Sequence, residues 1–472
     1  MIMVHGMDAG RCHPEVSGSC MSDLASNGPR VKLSWMNMKP LQYKRARSTV
    51  GSLWMMQPRK LFMKQEAWQI WPDNNAVEIL SLEESEKIRS RLARDNENHK
   101  LLTPRYVFTD KNEPLRTKNH PLPLRARARI AVPGFNDLLA YTLRKDAPMG
   151  SRVSQHFLLA LTASYNVKKM GRRRAWRLMA ADIKSAFMKG EFFDDDRELY
   201  MENVRNPQEP QLPFPGLVRI RKGVFGLSDA PRMWYLRLNK ALLAQGWERS
   251  HMDFACWLLW SEDRTYLEGI IIYHVDDLLL GGTIVAQQKM LELGKELGFG
   301  SVSYDSFTYC GKKIEQLEDG TFQISMKEYH ENLKTVAIPV HRRSQPDSPL
   351  TEPERRQLRA LLGSMQWLVA QLRFDMGYLL STLPGEAPLK TLQKANLLVK
   401  QFKQHPELAL TFKPLCLENA GIMVVTDASL GNVTKLGGAE GSLMEKVYSQ
   451  RVHTLFCWLT EIYFLAKKVL SR

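Results

Sequence analysis

Gly-Ile-Ile-Ile-Tyr-His-Val-Asp-Asp-Leu-Leu-Leu-Gly-Gly (269–282) is an apolar run broken at its centre by two adjacent aspartates, Asp276 and Asp277. An unpaired carboxylate buried in such a run is costly. On a flat strand two neighbouring side chains would also point to opposite faces. The doublet therefore predicts a tight hairpin turn from whose tip both carboxylates project into a cleft. Hard oxygen donors of this kind suit magnesium or manganese, and magnesium is commonly held by one or two carboxylates together with substrate phosphates. A solvated hairpin tip would use the same residues, so the doublet needs a partner before it speaks for chemistry.

Leu-Met-Ala-Ala-Asp-Ile-Lys-Ser-Ala-Phe (178–187) supplies one. It reads as an apolar strand ending at Asp182 and entering a turn or short helix. Two strands carrying Asp182 and Asp276 side by side would bring their carboxylates about one metal ion apart. That arrangement suits two-metal phosphoryl transfer, in which one ion activates an attacking hydroxyl and the other stabilises the leaving pyrophosphate.

Four stretches, in order, make the chain resemble a known family. They are Arg-Ala-Arg-Ile (127–130), Asp-Ile-Lys-Ser-Ala-Phe (182–187), Gly-Val-Phe-Gly-Leu-Ser-Asp-Ala-Pro-Arg-Met-Trp-Tyr (223–235) and His-Val-Asp-Asp (274–277). Weaker echoes follow in Tyr-Cys-Gly-Lys-Lys-Ile (309–314), Leu-Leu-Gly-Ser-Met-Gln-Trp-Leu (361–368) and Arg-Phe-Asp-Met (373–376). Together they resemble the reverse transcriptase region of copia-type retrotransposon Pol polyproteins, over roughly residues 66 to 430. The resemblance implies an α+β right-hand polymerase, with fingers, a palm built on an antiparallel sheet and a thumb, followed by a truncated ribonuclease-H-like segment. It implies RNA-directed DNA synthesis: a primer 3′-hydroxyl attacks the α-phosphate of a dNTP on an RNA or DNA template, with Mg2+ or Mn2+ as cofactor. The competing expectation is a degenerate retroelement remnant that binds nucleic acid without polymerising.

The resemblance also distributes roles. Asp182, Asp276 and Asp277 are the expected catalytic metal ligands. Arg127 and Arg129 alternate on a strand, so both face one side and could neutralise the triphosphate. Phe187 resembles the aromatic that packs under the incoming sugar and rejects a 2′-hydroxyl. Gly226 and the Ser228–Arg232 turn are expected against the nucleotide, and Tyr309 to Gly311 in the hairpin that grips the primer. Two departures stand out. His274 replaces the family's usual tyrosine. Asp229 replaces its glutamine and adds a carboxylate near a triphosphate, which repels unless a cation offsets it; Arg232 is the nearby candidate.

Composition agrees. The 472-residue chain is 44% hydrophobic, enough for a sizeable core. Its formal charge of +16 suits a polyanionic partner, because basic surface gains affinity by releasing counterions from phosphates. Six cysteines show no metal-finger spacing, which fits free thiols in a reducing compartment. No apolar stretch is long enough to span a membrane and the first residues lack a signal core, so a cytoplasmic or nuclear location is expected.

Residues 1–65 read as an irregular basic leader or linker, 66–340 as fingers and palm, 341–420 as a helical thumb or connection, and 421–472 as a ribonuclease-H-like remnant. Ser81 to Ser85 carries capping-box chemistry for a helix. Ser228 to Pro231 opens another that ends near Gly246, with Trp234, Leu238 and Leu242 on its apolar side. In the last segment, Gly421 to Ser429 resembles the first strand of a ribonuclease H domain with Asp427 as its first metal carboxylate. Too few residues follow for the rest of that domain, and no ribonuclease H activity is expected.

Overall fold

A computed structural model describes residues 57–416, apart from 114–121, 166–173, 206–210 and 384–387. The described residues begin with helix α1 (Gln57–Asp73), so within the leader expected through residue 65 the stretch from Gln57 is helical. Met63, Ala67, Trp68 and Trp71 form its buried stripe. Lys64 falls on that same side and obscured the pattern. It is buried, with its ammonium 4.5 Å from the Tyr106 ring centroid.

Strand β1 (Val77–Ile79) leads to helix α2 (Leu82–Arg94), whose capping box joins Ser81 and Glu84 as the sequence predicts. Strands β2 (Leu101–Leu102), β3 (Arg105–Asp110) and β4 (Ala126–Ala131) follow, and β3 and β4 form a separate antiparallel pair. Helix α3 (Arg152–Ser164) is capped by the Ser151 hydroxyl, which accepts from the Ser154 amide. Strand β5 (Arg177–Ile183) carries Asp182 and runs into a 3-10 turn at Ala186–Lys189. Strands β6 (Tyr200–Met201) and β7 (Val218–Ile220) complete a four-stranded sheet in the order β1-β7-β6-β2.

Helix α4 (Ala230–Ala244) has Pro231 in its first turn, and Gly246 beyond its end takes φ +83°. Then come β8 (Glu248–Arg249), β9 (Cys256–Trp260), β10 (Leu267–His274), β11 (Asp277–Gly282), helix α5 (Ile284–Leu297) and β12 (Phe299–Tyr304). The central sheet has six strands in the order β12-β5-β11-β10-β9-β8, and every pairing in it is antiparallel.

Both faces of that sheet are covered, which explains why β10 and β11 read as continuous apolar runs rather than alternating ones. On one face Trp234, Leu238 and Leu242 of α4 and Met290, Leu293 and Leu297 of α5 join Ile271, Tyr273, Leu278 and Leu280 in one buried cluster. On the other, α3 lies so close that a Cβ at Gly281 would collide with the Thr162 hydroxyl.

Strands β13 (Ser306–Tyr309), β14 (Lys312–Gln316) and β15 (Phe322–Ser325) start a further antiparallel sheet. Short helices α6 (Lys327–Asn332) and α7 (Val340–Arg343) precede α8 (Glu352–Gln371), α9 (Gly377–Ser381) and α10 (Leu389–Phe402). Helix α8 falls in the region expected to be helical and carries a capping box between Thr351 and Glu354. Leu358, Leu361, Met365 and Leu368 of α8 pack with Leu392, Ala395 and Val399 of α10. Arg373, from the Arg-Phe-Asp-Met echo, is structural: buried, it pairs with Asp375 at 2.7 Å and donates to the Phe402 carbonyl at 3.2 Å. Residues 341–420 are not purely helical. Strand β16 (Ala409–Phe412) returns to pair with β15, a long-range pairing no local pattern announced. Asp427 and the whole 421–472 segment lie outside the described residues.

Candidate active site

The aspartate doublet does sit at a hairpin turn. His274 at the end of β10 pairs with Asp277 at the start of β11, leaving Val275 and Asp276 as the two turn residues. Val275 takes φ +63°, a left-handed conformation that is strained for a β-branched side chain. Its carbonyl is held by the indole of Trp234, which donates at 2.7 Å, so α4 braces the turn from the core side.

The partner strand differs from expectation in one respect. Strand β5 lies beside β11, and the residue directly opposite Asp182 is Asp277, not Asp276. Directly opposed residues project from the same face of the sheet. Asp276 lies in the turn itself, and its carbonyl accepts from the Ile183 amide at 2.9 Å. Glycine at 300, on the other neighbour of β5, leaves room for this group: a Cβ there would lie 2.5 Å from Asp182 Oδ2.

The electrostatics of Asp276 and Asp277 are unfavourable in isolation. Burial raises the pKa of Asp276, and the neighbouring Asp182 adds to it, while Arg129 opposes. Burial, then Asp276 and Asp182, push Asp277 up to about 6. A crowded, desolvated set of acids is relieved by a cation. Among the described residues no group of three or more His, Cys, Asp or Glu side chains is placed to hold a metal ion without further ligands or a shift of side chains. A cation here would be completed by oxygens from elsewhere, as magnesium commonly is with substrate phosphates.

A basic hairpin faces these acids. Arg127 and Arg129 alternate on β4 with the buried Ala128 and Ile130 pointing the other way. Arg129 lies with its guanidinium 5.2 Å from the Phe225 ring centroid. Lys111, just past β3, is a member of this cluster that the motif reading missed. Burial and then Arg127, Arg125 and Arg129 lower its pKa, while Asp182 opposes them. Its signal was weak, since a lone lysine in a turn is ordinary.

The 223–232 segment packs against the end of β4, and it corrects the expected partner of Asp229. Gly226 takes φ +107°, and a Cβ there would strike the Val132 carbonyl, so only glycine lets this loop meet the end of β4. Phe187 is half-buried and meets the Phe225 ring edge-on at 6.0 Å. Arg232, however, does not neutralise Asp229; it pairs with Asp146 at 2.8 Å. Asp229 is buried and is paired instead with Arg197, whose Nη2 lies 3.1 Å from Asp229 Oδ1.

The 309–311 stretch is a hairpin turn as expected, with Cys310 and Gly311 both at positive φ between β13 and β14. The Tyr309 ring is buried and its hydroxyl donates to the Asp277 carbonyl at 3.4 Å, which ties this hairpin to the acidic strand. Gly311 is exposed at the tip. His274 is half-buried, and burial and Lys312 lower its pKa.

Residues 90–337 match the family model for reverse transcriptase (RNA-dependent DNA polymerase). The chain belongs to the reverse transcriptase family. The similarity extends to Pol polyproteins of copia-type transposons. The chain is 25% identical over 296 residues to the retrovirus-related Pol polyprotein from transposon RE2 of Arabidopsis thaliana, covering 59% of this chain and 18% of that one. It is 24% identical over 317 residues to the RE1 polyprotein of the same plant, covering 61% and 20%, and 24% identical over 160 residues to that of transposon TNT 1-94 of Nicotiana tabacum, covering 34% and 11%. The chain thus spans about a fifth or less of the curated relatives it matches. Among solved structures it is similar to a foamy viral protease-reverse transcriptase in complex with double-stranded DNA, at 11% identity and a TM-score of 0.33, covering 66% of this chain and 46% of that one. Among the described residues no helix is long and apolar enough to cross a membrane.

Proposed function

We propose that this reverse-transcriptase-family chain is an RNA-directed DNA polymerase, and that the Asp182–Asp277 register with Asp276 in the adjoining turn is its catalytic centre. That register is the observation that carries the reading. It sets Asp182 opposite Asp277 with Asp276 in the adjoining turn, and Arg129 and Lys111 of the basic hairpin act electrostatically with Asp276 and Asp182. In this reading β3–β4 belongs to the fingers, the six-stranded sheet is the palm and α8 to α10 form the thumb. The partners are primer–template and dNTPs, held by a basic surface consistent with the formal charge of +16.

The residues divide the work as follows. Asp182, Asp276 and Asp277 would hold Mg2+ or Mn2+, whose bound charge would acidify a primer 3′-hydroxyl and offset charge on the pyrophosphate leaving group. Arg127, Arg129 and Lys111 attract and orient the triphosphate, supplying fixed positive charge where negative charge builds up. Phe187, braced by Phe225, presents a ring edge that excludes a ribose 2′-hydroxyl by size. The Gly226 loop presents backbone to the nucleotide, and the Cys310–Gly311 turn presents backbone to the primer end. Arg232 is committed to Asp146 and contributes to the loop's position.

The test is templated extension of a labelled primer on RNA with magnesium or manganese. Extension by the native chain and its loss in Asp276→Asn, with duplex binding retained, is the expected result. Binding without extension in both would leave the nucleic-acid-binding remnant as the better reading.

A further inference from the structure

Asp229 is the departure from the family pattern that most threatens a nucleotide site, and its surroundings resolve the threat. The Asp229 side chain is 4% exposed, Arg197 is 7% and Asp137 is 3%. Arg197 grips Asp229 with both arms, Nη1 to Oδ2 and Nη2 to Oδ1, and its Nη2 also reaches Asp137 Oδ2 at 3.0 Å. The guanidinium lies 4.1 Å from the Phe193 ring centroid. Asp137 in turn accepts from the Leu139 amide at 3.0 Å, which fixes the short turn at Leu138–Tyr141. One arginine therefore ties together three segments distant in sequence: the stretch after β4, the stretch before β6 and the turn that opens α4.

The turn so held is the one that forms the nucleotide-facing wall. The Val132 amide donates to the Phe225 carbonyl at 2.9 Å, and Gly134 and Gly226 approach so closely that a Cβ on Gly134 would strike the Gly226 carbonyl. Phe225 then contacts both Arg129 and Phe187. We infer that Asp137, Arg197 and Asp229 form a positioning device that holds the 223–229 loop against β4 and, through Phe225, sets Arg129 and Phe187 for choosing deoxy- over ribonucleotides. This rests on the polymerase reading above. Asp229 is a positioning residue here, turned inward onto Arg197, and its charge is answered inside the chain.

The test uses Asp229→Gln, Asp229→Glu, Arg197→Gln and the Arg197→Gln/Asp229→Gln double variant. Two readouts are taken: the thermal midpoint, and stabilisation of a complex with a dideoxy-terminated primer on RNA by dNTP against rNTP, which needs no chemistry. Each glutamine variant should lower the midpoint, and the double variant should fall by less than the sum of the singles, because the two residues share one interaction. Preference for dNTP over rNTP should drop about tenfold or more in both single glutamine variants, and Asp229→Glu should recover part of it. If Asp229→Gln does not fold, Arg197→Lys, which keeps the charge but not the two-armed grip, should show the same loss of selectivity. Tighter dNTP binding by Asp229→Gln at an unchanged midpoint would mean that Asp229 faces the nucleotide, and would overturn the inference. A lowered midpoint with selectivity unchanged would reduce the triad to a structural ion pair and overturn it as well. If the native chain forms no dNTP-stabilised complex, the polymerase reading itself fails and takes the positioning role with it.

Discussion

Asp182 and Asp277 stand directly opposite each other across the β5–β11 pairing, and Gly300 on β12 leaves the space that the Asp182 carboxylate fills. A side chain at 300 would have to displace either that carboxylate or the Lys184 side chain, whose Cγ would lie 3.0 Å from the new atom. Gly300→Ala should therefore reduce primer extension by about tenfold or more while leaving the thermal midpoint within a few degrees of the native value. Assaying both on the same preparation checks it. Native activity in the variant would show that the Asp182 position is not critical.

Crowded acids should make the fold responsive to divalent cations. Burial and mutual repulsion raise both Asp276 and Asp277, so an ion that binds the folded state alone stabilises it by mass action. Magnesium or manganese in the millimolar range should raise the thermal midpoint of the native chain. Asp276→Asn and Asp182→Asn should respond less, and controls without divalent ions at matched ionic strength separate site binding from screening. An equal rise in all three proteins would remove these residues from the ion site.

A pH dependence arises away from the site, at His156 on α3. Its ring lies 5.2 Å from that of Phe412 on β16, and burial, then Lys312 and Arg152, lower its pKa to about 4. An unfolded histidine takes up its proton near pH 6.5. Between about pH 6.5 and 4 the unfolded chain therefore holds the extra proton, and stability falls as pH falls. Above that window the histidine contributes no pH dependence. His156→Phe should flatten this part of the profile, with a gain of about 2 kcal/mol over the native chain at pH 4 relative to pH 7. Urea denaturation at the two pH values measures it. A constant difference between the two proteins across the window would rule out His156 as the source.

Much of this arrangement was legible because its chemistry is local. An aspartate doublet in an apolar run announced the turn, Ser81 and Glu84 announced a helix start, and Pro231 and Gly246 bracketed α4. What the sequence hid was partnership over distance. Which aspartate faces Asp182 depends on strand register, and a shift of one residue separates Asp276 from Asp277. Arg197 reads as one more charge beside the acidic residues 194–196, yet it answers Asp229, 32 positions away. Tyr309 sits in a motif but points inward, and Lys64 lies on the buried face of α1 because two rings on β3 accept its charge. Strand β16 pairs with a strand more than 80 residues earlier.

The most direct measurement is single-nucleotide incorporation on an RNA template by the native chain, Asp182→Asn and Asp277→Asn, with duplex binding followed in parallel. The native chain should incorporate the complementary dNTP only with magnesium or manganese, and both variants should lose about 10²- to 10³-fold or more in rate while binding the duplex equally well. Incorporation that persists in the variants, or that needs no divalent ion, would contradict the assignment of the β5–β11 carboxylates as the catalytic centre.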